Sequence, residues 1–159
     1  MLFMKKKILW GVLALLVIIQ FFRIDKTNPT SDPAKDFIAM TNPPAEVAGM
    51  IKASCYDCHS NQSVYPWYTN VAPVSWFIKK HINEGRKHLN FSEWGNYEER
   101  RRNHKLEEFY GEVNQREMPL QSYLIIHSES RLTDEQVKKM TDWIVEIGGE
   151  GVKGEGEEE

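Results

Sequence analysis

Cysteine is scarce in this chain: its 159 residues include 2 cysteines, at positions 55 and 58. A pair this close closes a loop too small to stabilise a fold, so a disulfide framework is excluded. Basic residues are also in the minority, with 20 Lys and Arg against 23 Asp and Glu. The dense basic cluster at 100–105 lies between glutamates at 98–99 and 107–108, which is typical of a solvated helix face with opposite-charge pairs. This charge balance argues against a nucleic-acid partner.

Long apolar runs are limited to one, residues 8–22, between the lysines at 5–7 and Arg23. Small residues of a cleavage site do not follow this run, which favours an uncleaved anchor over a signal peptide. The run is short for a spanning helix, but flanking basic side chains can reach the interfaces. We therefore expect residues 1–23 to form a membrane-anchor helix in contact with lipid. Retention of the lysines in the cytoplasm predicts a single-pass protein of the bacterial inner membrane, with the rest of the chain on the periplasmic side.

The remaining chain divides into a linker, one helical domain and a tail. Residues 24–44 contain four prolines among small polar residues, which is typical of an extended linker. Apolar residues then recur at helical spacing up to position 148, without an internal repeat or a convincing strand. The glycine- and glutamate-rich residues 149–159 predict a disordered tail. We therefore predict an all-α domain over 45–148, with helices at 45–54, 74–85, 97–113, shortly after Pro119, and from a capping box at Thr133 to 148.

The stretch that indicates chemistry is Cys55-Tyr56-Asp57-Cys58-His59. Two thiols on one helical turn can both reach the vinyl groups along one edge of a haem, and the adjacent His59 can offer an imidazole nitrogen to the iron. This pattern is typical of c-type haem attachment. We therefore expect one covalent haem c, with thioether bonds to Cys55 and Cys58 and with His59 as the proximal iron ligand.

The cysteine pair has three other possible interpretations. A redox dithiol is usually found in a βαβ context, and no such pattern is present. A zinc site would have to be completed by histidines at irregular spacing, because no second cysteine pair exists. A structural disulfide leaves His59 without a role.

A low-spin electron carrier also needs a sixth iron ligand, and Met118 is the best candidate. It lies in a break between predicted helices, where Pro119 stiffens the loop. The other methionines lie in the anchor, the linker or apolar helix faces, where methionine is usually core filler. A His/Met pair of ligands raises the reduction potential of a haem. His88 is the main rival and would give a bis-histidine haem.

Aromatic side chains are dense around these positions. Core packing is the default explanation for each, but together they can form the walls of a haem crevice whose low dielectric helps to set the potential. The candidate haem contacts are Trp67, Tyr68, Trp76 and Trp94. Trp67, Tyr68 and Arg86 are also considered as hydrogen-bond donors to the haem propionates.

Five short segments occur in a characteristic order. They are 55–61 (Cys-Tyr-Asp-Cys-His-Ser-Asn), 65–68 (Tyr-Pro-Trp-Tyr), 73–76 (Pro-Val-Ser-Trp), 88–94 (His-Leu-Asn-Phe-Ser-Glu-Trp) and 117–119 (Glu-Met-Pro). With them, residues 45–147 resemble the bacterial haem-binding domain family of small c-type cytochromes. The resemblance implies a single haem on a cytochrome c-like helical fold, with His59 and Met118 as axial ligands. It does not identify redox partner proteins.

The function expected from these features is one-electron transfer by an exported, membrane-tethered c-type cytochrome rather than enzymatic turnover. The first alternative is a haem-based peroxidase or gas sensor, in which Met118 would be displaced. The sequence shows no distal acid–base pair for such chemistry. The second alternative is a zinc or dithiol module without haem.

Overall fold

The computed structural model describes residues 2–153, with side chains from residue 3 onward. Over this range the fold is helical and contains no strand, which confirms the all-α prediction. Its α-helices are α1 Leu2–Ile19, α2 Phe37–Thr41, α3 Ala45–Ser54, α4 Tyr56–His59, α5 Val74–His88, α6 Glu99–Asn114, α7 Gln121–Leu124 and α8 Asp134–Gly148. Short 3-10 helices lie at Pro33–Lys35, Trp67–Asn70, Phe91–Asn96, Ser128–Ser130 and Glu150–Lys153.

The last long helix, α8, begins as its sequence predicts. The hydroxyl of Thr133 accepts a hydrogen bond from the backbone N–H of Gln136, and the side chain of Gln136 accepts one from the backbone N–H of Thr133. This reciprocal capping box supplies partners for two backbone donors that a helix start leaves free. The apolar stripe behind it, which includes Met140, Trp143 and Ile144, is buried in the core.

The core is an aromatic cluster enclosed by α2, α3, α6, α8 and the 3-10 turn at 91–96. Phe37 lies at its centre and is 0% exposed. Its ring lies 4.7 Å from that of Trp94, 5.0 Å from Phe91, 5.8 Å from Trp143 and 6.2 Å from Phe109. Tilted and edge-on pairs of this kind add about 0.5–1.5 kcal/mol each beyond their area burial. The cluster therefore joins elements that are distant in sequence.

Phe37 belongs to the segment predicted to be an extended linker. Its helix begins after Asp36, whose carboxylate accepts a hydrogen bond from the backbone N–H of Ile38 at 3.0 Å. The same carboxylate accepts a hydrogen bond from the hydroxyl of Tyr56 at 2.7 Å. Burial of a phenylalanine side chain is worth about 1.5–3 kcal/mol, which favours docking of this segment over extension into solvent. Residues 33–41 therefore pack on the domain, and the linker interpretation does not describe them.

The prediction of a membrane-anchor helix is wrong. Among the described residues, none of the helices combines the length and the apolar character needed to cross a membrane. The 18 residues of α1 include three lysines near its start, at 5–7. The uncharged remainder, 8–19, rises about 18 Å at 1.5 Å per residue, whereas a bilayer core is about 30 Å thick. The single-pass inner-membrane location with a periplasmic domain, which depended on this helix, is therefore not supported.

The end of α1 is attached to the turn that precedes α5. The side-chain amide of Gln20 donates to the carbonyl of Ala72 and accepts from its N–H, each at 3.0 Å. The indole N–H of Trp76 donates to the carbonyl of Phe22 at 2.9 Å. The apolar run therefore ends in specific contacts with the domain.

The acidic tail predicted over 149–159 begins with ordered structure. Residues 150–153 form a 3-10 helix, and Val152 is buried in the core beside Leu106 and Gly148. One apolar side chain in a polar segment is the physical reason, since its burial favours this last turn. The rest of the predicted tail, 154–159, lies outside the described residues.

Candidate haem-binding site

The Cys-x-x-Cys-His motif forms a helical turn between α3 and α4. The backbone N–H groups of Cys58 and His59 both donate to the carbonyl of Cys55, at 3.2 and 2.9 Å. All three side chains are half-buried. The turn therefore presents two thiols and an imidazole in the order and within the span that haem attachment needs.

One ring nitrogen of His59 is held by the backbone. The imidazole Nδ1 lies 3.0 Å from the carbonyl oxygen of Leu89. Because a carbonyl only accepts hydrogen bonds, Nδ1 carries the proton and Nε2 keeps its lone pair for a metal. The pKa of His59 is lowered, chiefly by burial, which favours the neutral ring. These properties suit Nε2 of His59 to bind a metal ion.

A buried polar network holds the segment that contains the Leu89 carbonyl in place. The side-chain amide of Asn90 donates to that of Asn61 at 2.9 Å and accepts from the backbone N–H of Ser92 at 3.1 Å. The backbone N–H of Asn61 donates to the hydroxyl of Ser92, also at 3.1 Å. The network joins the residues after His59 to those after Leu89, which positions the two partners of the imidazole hydrogen bond.

Helix α5 supports the motif from behind at very close range. A Cβ atom at Gly85 would lie 2.7 Å from the carbonyl oxygen of Cys58, so only glycine permits this approach. The next residue, Arg86, donates to the carbonyl of Ser60 at 2.8 Å and to the hydroxyl of Ser63 at 2.9 Å. The guanidinium that the sequence made a candidate for the propionates is thus engaged with the loop after the motif.

The two thiols have the properties of buried, protonated groups. Burial raises the pKa of Cys55 to about 12 and that of Cys58 to about 11. A redox dithiol depends on a thiol whose pKa is lowered, so that thiolate is available near neutral pH. The environment of this pair therefore does not favour the dithiol interpretation.

The predicted sixth ligand, Met118, lies in the turn between α6 and α7 and is half-buried. Its backbone N–H donates to the carbonyl of Glu112 at 3.1 Å, and that of Glu117 donates to the same carbonyl at 3.0 Å. Arg116, just before, adopts a positive φ of 64° and donates to the carbonyl of Leu132. The turn is therefore fixed to the end of α6 and to the chain leading into α8.

A polar and aromatic cluster links this part of the chain to the motif. The hydroxyl of Tyr123 donates to the Asp57 carboxylate at 2.9 Å, and its ring stacks on the imidazole of His127 with centroids 4.3 Å apart. The hydroxyl of Tyr68 contacts Nε2 of His127, whose Nδ1 lies 3.1 Å from the carboxylate of Glu129. Sequence reasoning did not find this cluster, because no spacing rule relates residues so far apart.

His88, the rival of Met118 for the sixth ligand position, is exposed at the end of α5. It directly precedes Leu89, whose carbonyl binds the Nδ1 side of the His59 ring. An iron bound to Nε2 would lie on the other side of that ring. Among residues 3–153, moreover, no three His, Cys, Asp or Glu side chains are grouped so that they could hold a metal ion, and a zinc site gains no support.

The four aromatic residues predicted to contact haem have different surroundings. Trp94 is 3% exposed and packs on Phe37 in the core, and Trp76 contacts the chain after α1. Tyr68 lies near the motif, and Trp67 lies beside it with ring centroids 5.9 Å apart. Aromatic density in a sequence does not reveal which face of the fold each side chain will take. Trp94 therefore packs in the core, whereas Trp67 and Tyr68 lie on the loop after the motif and Trp76 lies in the first turn of α5.

The residues around the motif fit a large flat apolar group. In the loop after the motif, the hydroxyl of Ser63 and the backbone N–H of Val64 both donate hydrogen bonds to Asp57. In α7, the hydroxyl of Tyr123 also donates a hydrogen bond to Asp57. Apolar side chains of these segments are exposed: Val64, Trp67, Val71, Ile125 and Ile126. In the part of the chain with described side chains, the hydroxyl of Tyr65 is buried without a hydrogen-bond partner. A porphyrin would cover such apolar surface, and its propionates accept hydrogen bonds.

The domain is all-helical, its motif histidine is oriented by a backbone carbonyl, and apolar side chains beside the motif are exposed. These features are typical of small helical haem proteins. A family model described as "Haem-binding domain" matches residues 14–146. The match covers most of the chain, which therefore belongs to this family and binds haem. Comparisons with curated proteins and with solved structures gave no match.

Proposed function

We propose that this protein is a c-type cytochrome that carries single electrons, with one haem joined to Cys55 and Cys58 and its iron held between His59 and Met118. The observation that carries the proposal is the hydrogen bond from His59 Nδ1 to the carbonyl of Leu89. It leaves Nε2 free directly after two thiols on the same turn. Family membership supplies the haem, and this geometry supplies the mode of binding.

The residues of the chain have distinct roles in this proposal. Each thiol adds across one vinyl group: a sulfur–carbon bond forms, the thiol hydrogen goes to the other vinyl carbon, and no oxidant is needed. His59 is kept neutral and oriented by its buried surroundings. When bound, the haem supplies one-electron exchange at its iron. Trp67 and Tyr68 lie on the loop beside the motif and are the proposed ring contacts.

Met118 is favoured as the sixth ligand by the elimination of its rivals. His88 is exposed at the end of α5, and both ring nitrogens of His127 are engaged, by Tyr68 and by Glu129. A methionine thioether has no competing hydrogen-bond partner of comparable strength. Two protein ligands leave no open position for a substrate, which favours outer-sphere electron transfer.

The mode of attachment is tested with protein made in cells that possess a cytochrome c assembly machinery. We expect a pyridine haemochrome spectrum of the c type and haem that stays on the chain after acid–acetone extraction. The variant with both Cys55→Ala and Cys58→Ala should lose the covalently held haem. Wild-type protein that releases its haem on extraction would refute the thioether bonds.

The sixth ligand is tested by the methionine–iron charge-transfer band of the oxidised protein. We expect this band in the wild type and its loss in Met118→Ala. Met40→Ala serves as a matched control, because Met40 is an exposed methionine on α2 that should leave the band unchanged. Persistence of the band in Met118→Ala would show that another residue binds the iron.

The alternative of a haem-based peroxidase or gas sensor gains one observation. The contacts from Tyr68 through His127 to Glu129 could act as an acid–base relay, which the sequence did not reveal. Such a function requires that Met118 leave the iron. Stoichiometric binding of CO to the reduced wild-type protein would favour this alternative over the electron carrier.

A further inference from the structure

Asp57 occupies a position that the haem motif leaves free, between the two cysteines. Its carboxylate nevertheless accepts two hydrogen bonds from other parts of the chain. One oxygen accepts from the backbone N–H of Val64 at 3.1 Å, and the other accepts from the hydroxyl of Tyr123 at 2.9 Å. The side chain therefore links the attachment turn to the loop that follows it and to α7.

The segment from Met118 to Ser130, here called the ligand segment, is held at its two ends by other contacts. At its start, the N–H of Met118 donates to the carbonyl of Glu112. At its end, the Ser130 hydroxyl donates to the carbonyl of Ala53 at 2.7 Å, and its carbonyl accepts from Ser54 at 2.9 Å. The partners at both ends, Glu112, Ala53 and Ser54, lie outside the Cys-x-x-Cys-His turn itself.

The middle of the ligand segment has little apolar support. Leu124 is buried, but Ile125 and Ile126 are largely exposed. The bond from Tyr123 to Asp57 therefore connects the middle of this segment directly to the turn that binds haem. Burial raises the pKa of Tyr123, so its hydroxyl remains a protonated donor over the ordinary pH range.

We propose that Tyr123 is a positioning residue for the sixth iron ligand, because its hydrogen bond to Asp57 holds the ligand segment where Met118 reaches the iron. This inference rests on the proposed function, in which Met118 is that ligand. The bond then contributes to the closed, six-coordinate state and not to any state in which Met118 has left the iron. Loss of the bond makes Met118 easier to displace.

The test is a titration of the oxidised, haem-loaded, full-length protein with imidazole, which competes with Met118 for the iron. A hydrogen bond of this kind is worth about 0.5–1.5 kcal/mol, so Tyr123→Phe should bind imidazole roughly three- to tenfold more tightly than the wild type. Asp57→Ala should give a similar gain. In the double variant the two gains should not multiply, because both changes remove the same bond.

Tyr56→Phe is the matched control. Tyr56 directly precedes Asp57 in the sequence. Its substitution removes a hydrogen bond of the same type, from a tyrosine hydroxyl to the carboxylate of Asp36 at 2.7 Å. It should lower the urea midpoint of unfolding and leave the imidazole affinity unchanged.

Wild-type affinity in Tyr123→Phe and Asp57→Ala would overturn the inference, as would an equal gain in Tyr56→Phe. Failure of the proposed function has a different signature. In that case the wild type itself lacks the methionine–iron band, before any variant is made.

Discussion

The aromatic core and the surface around the haem motif are stabilised in different ways. In the core, Phe37, Phe91 and Ile144 are almost completely buried, and their contacts are apolar. Beside the motif, Trp67 is 78% and Ile125 is 82% exposed, and hydrogen bonds such as that of Tyr123 hold the backbone in place. The core thus supplies the stability of the domain, whereas the site is a polar frame whose apolar side chains gain burial only from a bound group.

The largest change in stability is expected for Phe37→Ala in the core. Removal of a fully buried phenylalanine from the core should lower the free energy of unfolding by about 3–5 kcal/mol. Phe77→Ala is the control, because Phe77 is half exposed on α5 and its loss should cost much less. Urea unfolding followed by circular dichroism measures both. Equal costs for the two variants would contradict the central place of Phe37.

A second test targets the contact between α5 and the attachment turn. Gly85→Ala places a methyl group against the Cys58 carbonyl and forces the two elements apart, at a cost of about 1–3 kcal/mol. Gly111→Ala in α6 meets open space and should instead stabilise the protein by about 0.5–1 kcal/mol, through helix propensity. Thermal unfolding distinguishes the two signs. A stabilising Gly85→Ala would show that the approach is not tight.

A third test concerns the polar network behind His59. Asn90→Ala removes the hydrogen bonds to the amide oxygen of Asn61 and to the backbone N–H of Ser92, which should cost about 1–2 kcal/mol. It should also loosen the Leu89 carbonyl and weaken its hydrogen bond to His59, which makes the imidazole a poorer electron donor and raises the reduction potential of the haem. Asn103→Ala, on the exposed face of α6, is the control. An unchanged potential in Asn90→Ala would confine the network to a structural role.

The smallest expected change in stability is that of Trp67→Ala. Because this side chain is exposed, its removal should change the free energy of unfolding by less than about 0.5 kcal/mol in a chain without haem. In the haem-loaded protein the same change should cost more, since the indole is a proposed ring contact. Urea midpoints of the two forms give the difference. An equal effect in both would remove Trp67 from the site.

The local features of this fold were predictable from the sequence. The capping box of α8 and the apolar spacing of α3 and α8 are short-range patterns with a physical period, and the structure confirms them. The haem motif is equally local, because all of its chemistry lies within one turn. The membrane-anchor prediction was wrong. It rested on the apolar composition of residues 8–22, whereas the helix that forms, α1, includes three lysines near its start.

The long-range features were not predictable. A single phenylalanine among prolines gives no periodic signal, although Phe37 occupies the centre of the core. Likewise, Tyr123 and Asp57 carry no pattern that would relate them. Trp94 is buried in the core and Trp67 is exposed beside the motif, yet their sequence surroundings are equally aromatic. Which surface a side chain joins is decided by tertiary packing, and the spacing rules for single elements do not contain it.

The contact between Phe37 and Trp143 has a consequence for the timing of biosynthesis. A chain is made from its N-terminus, and this core cannot close until α8 has been synthesised. Throughout that interval Cys55 and Cys58 belong to an incomplete fold, in which thiols that later become half-buried are open to solvent. If haem is attached through these thiols as proposed, the order of the helices along the chain leaves them accessible to an attachment catalyst before the domain closes.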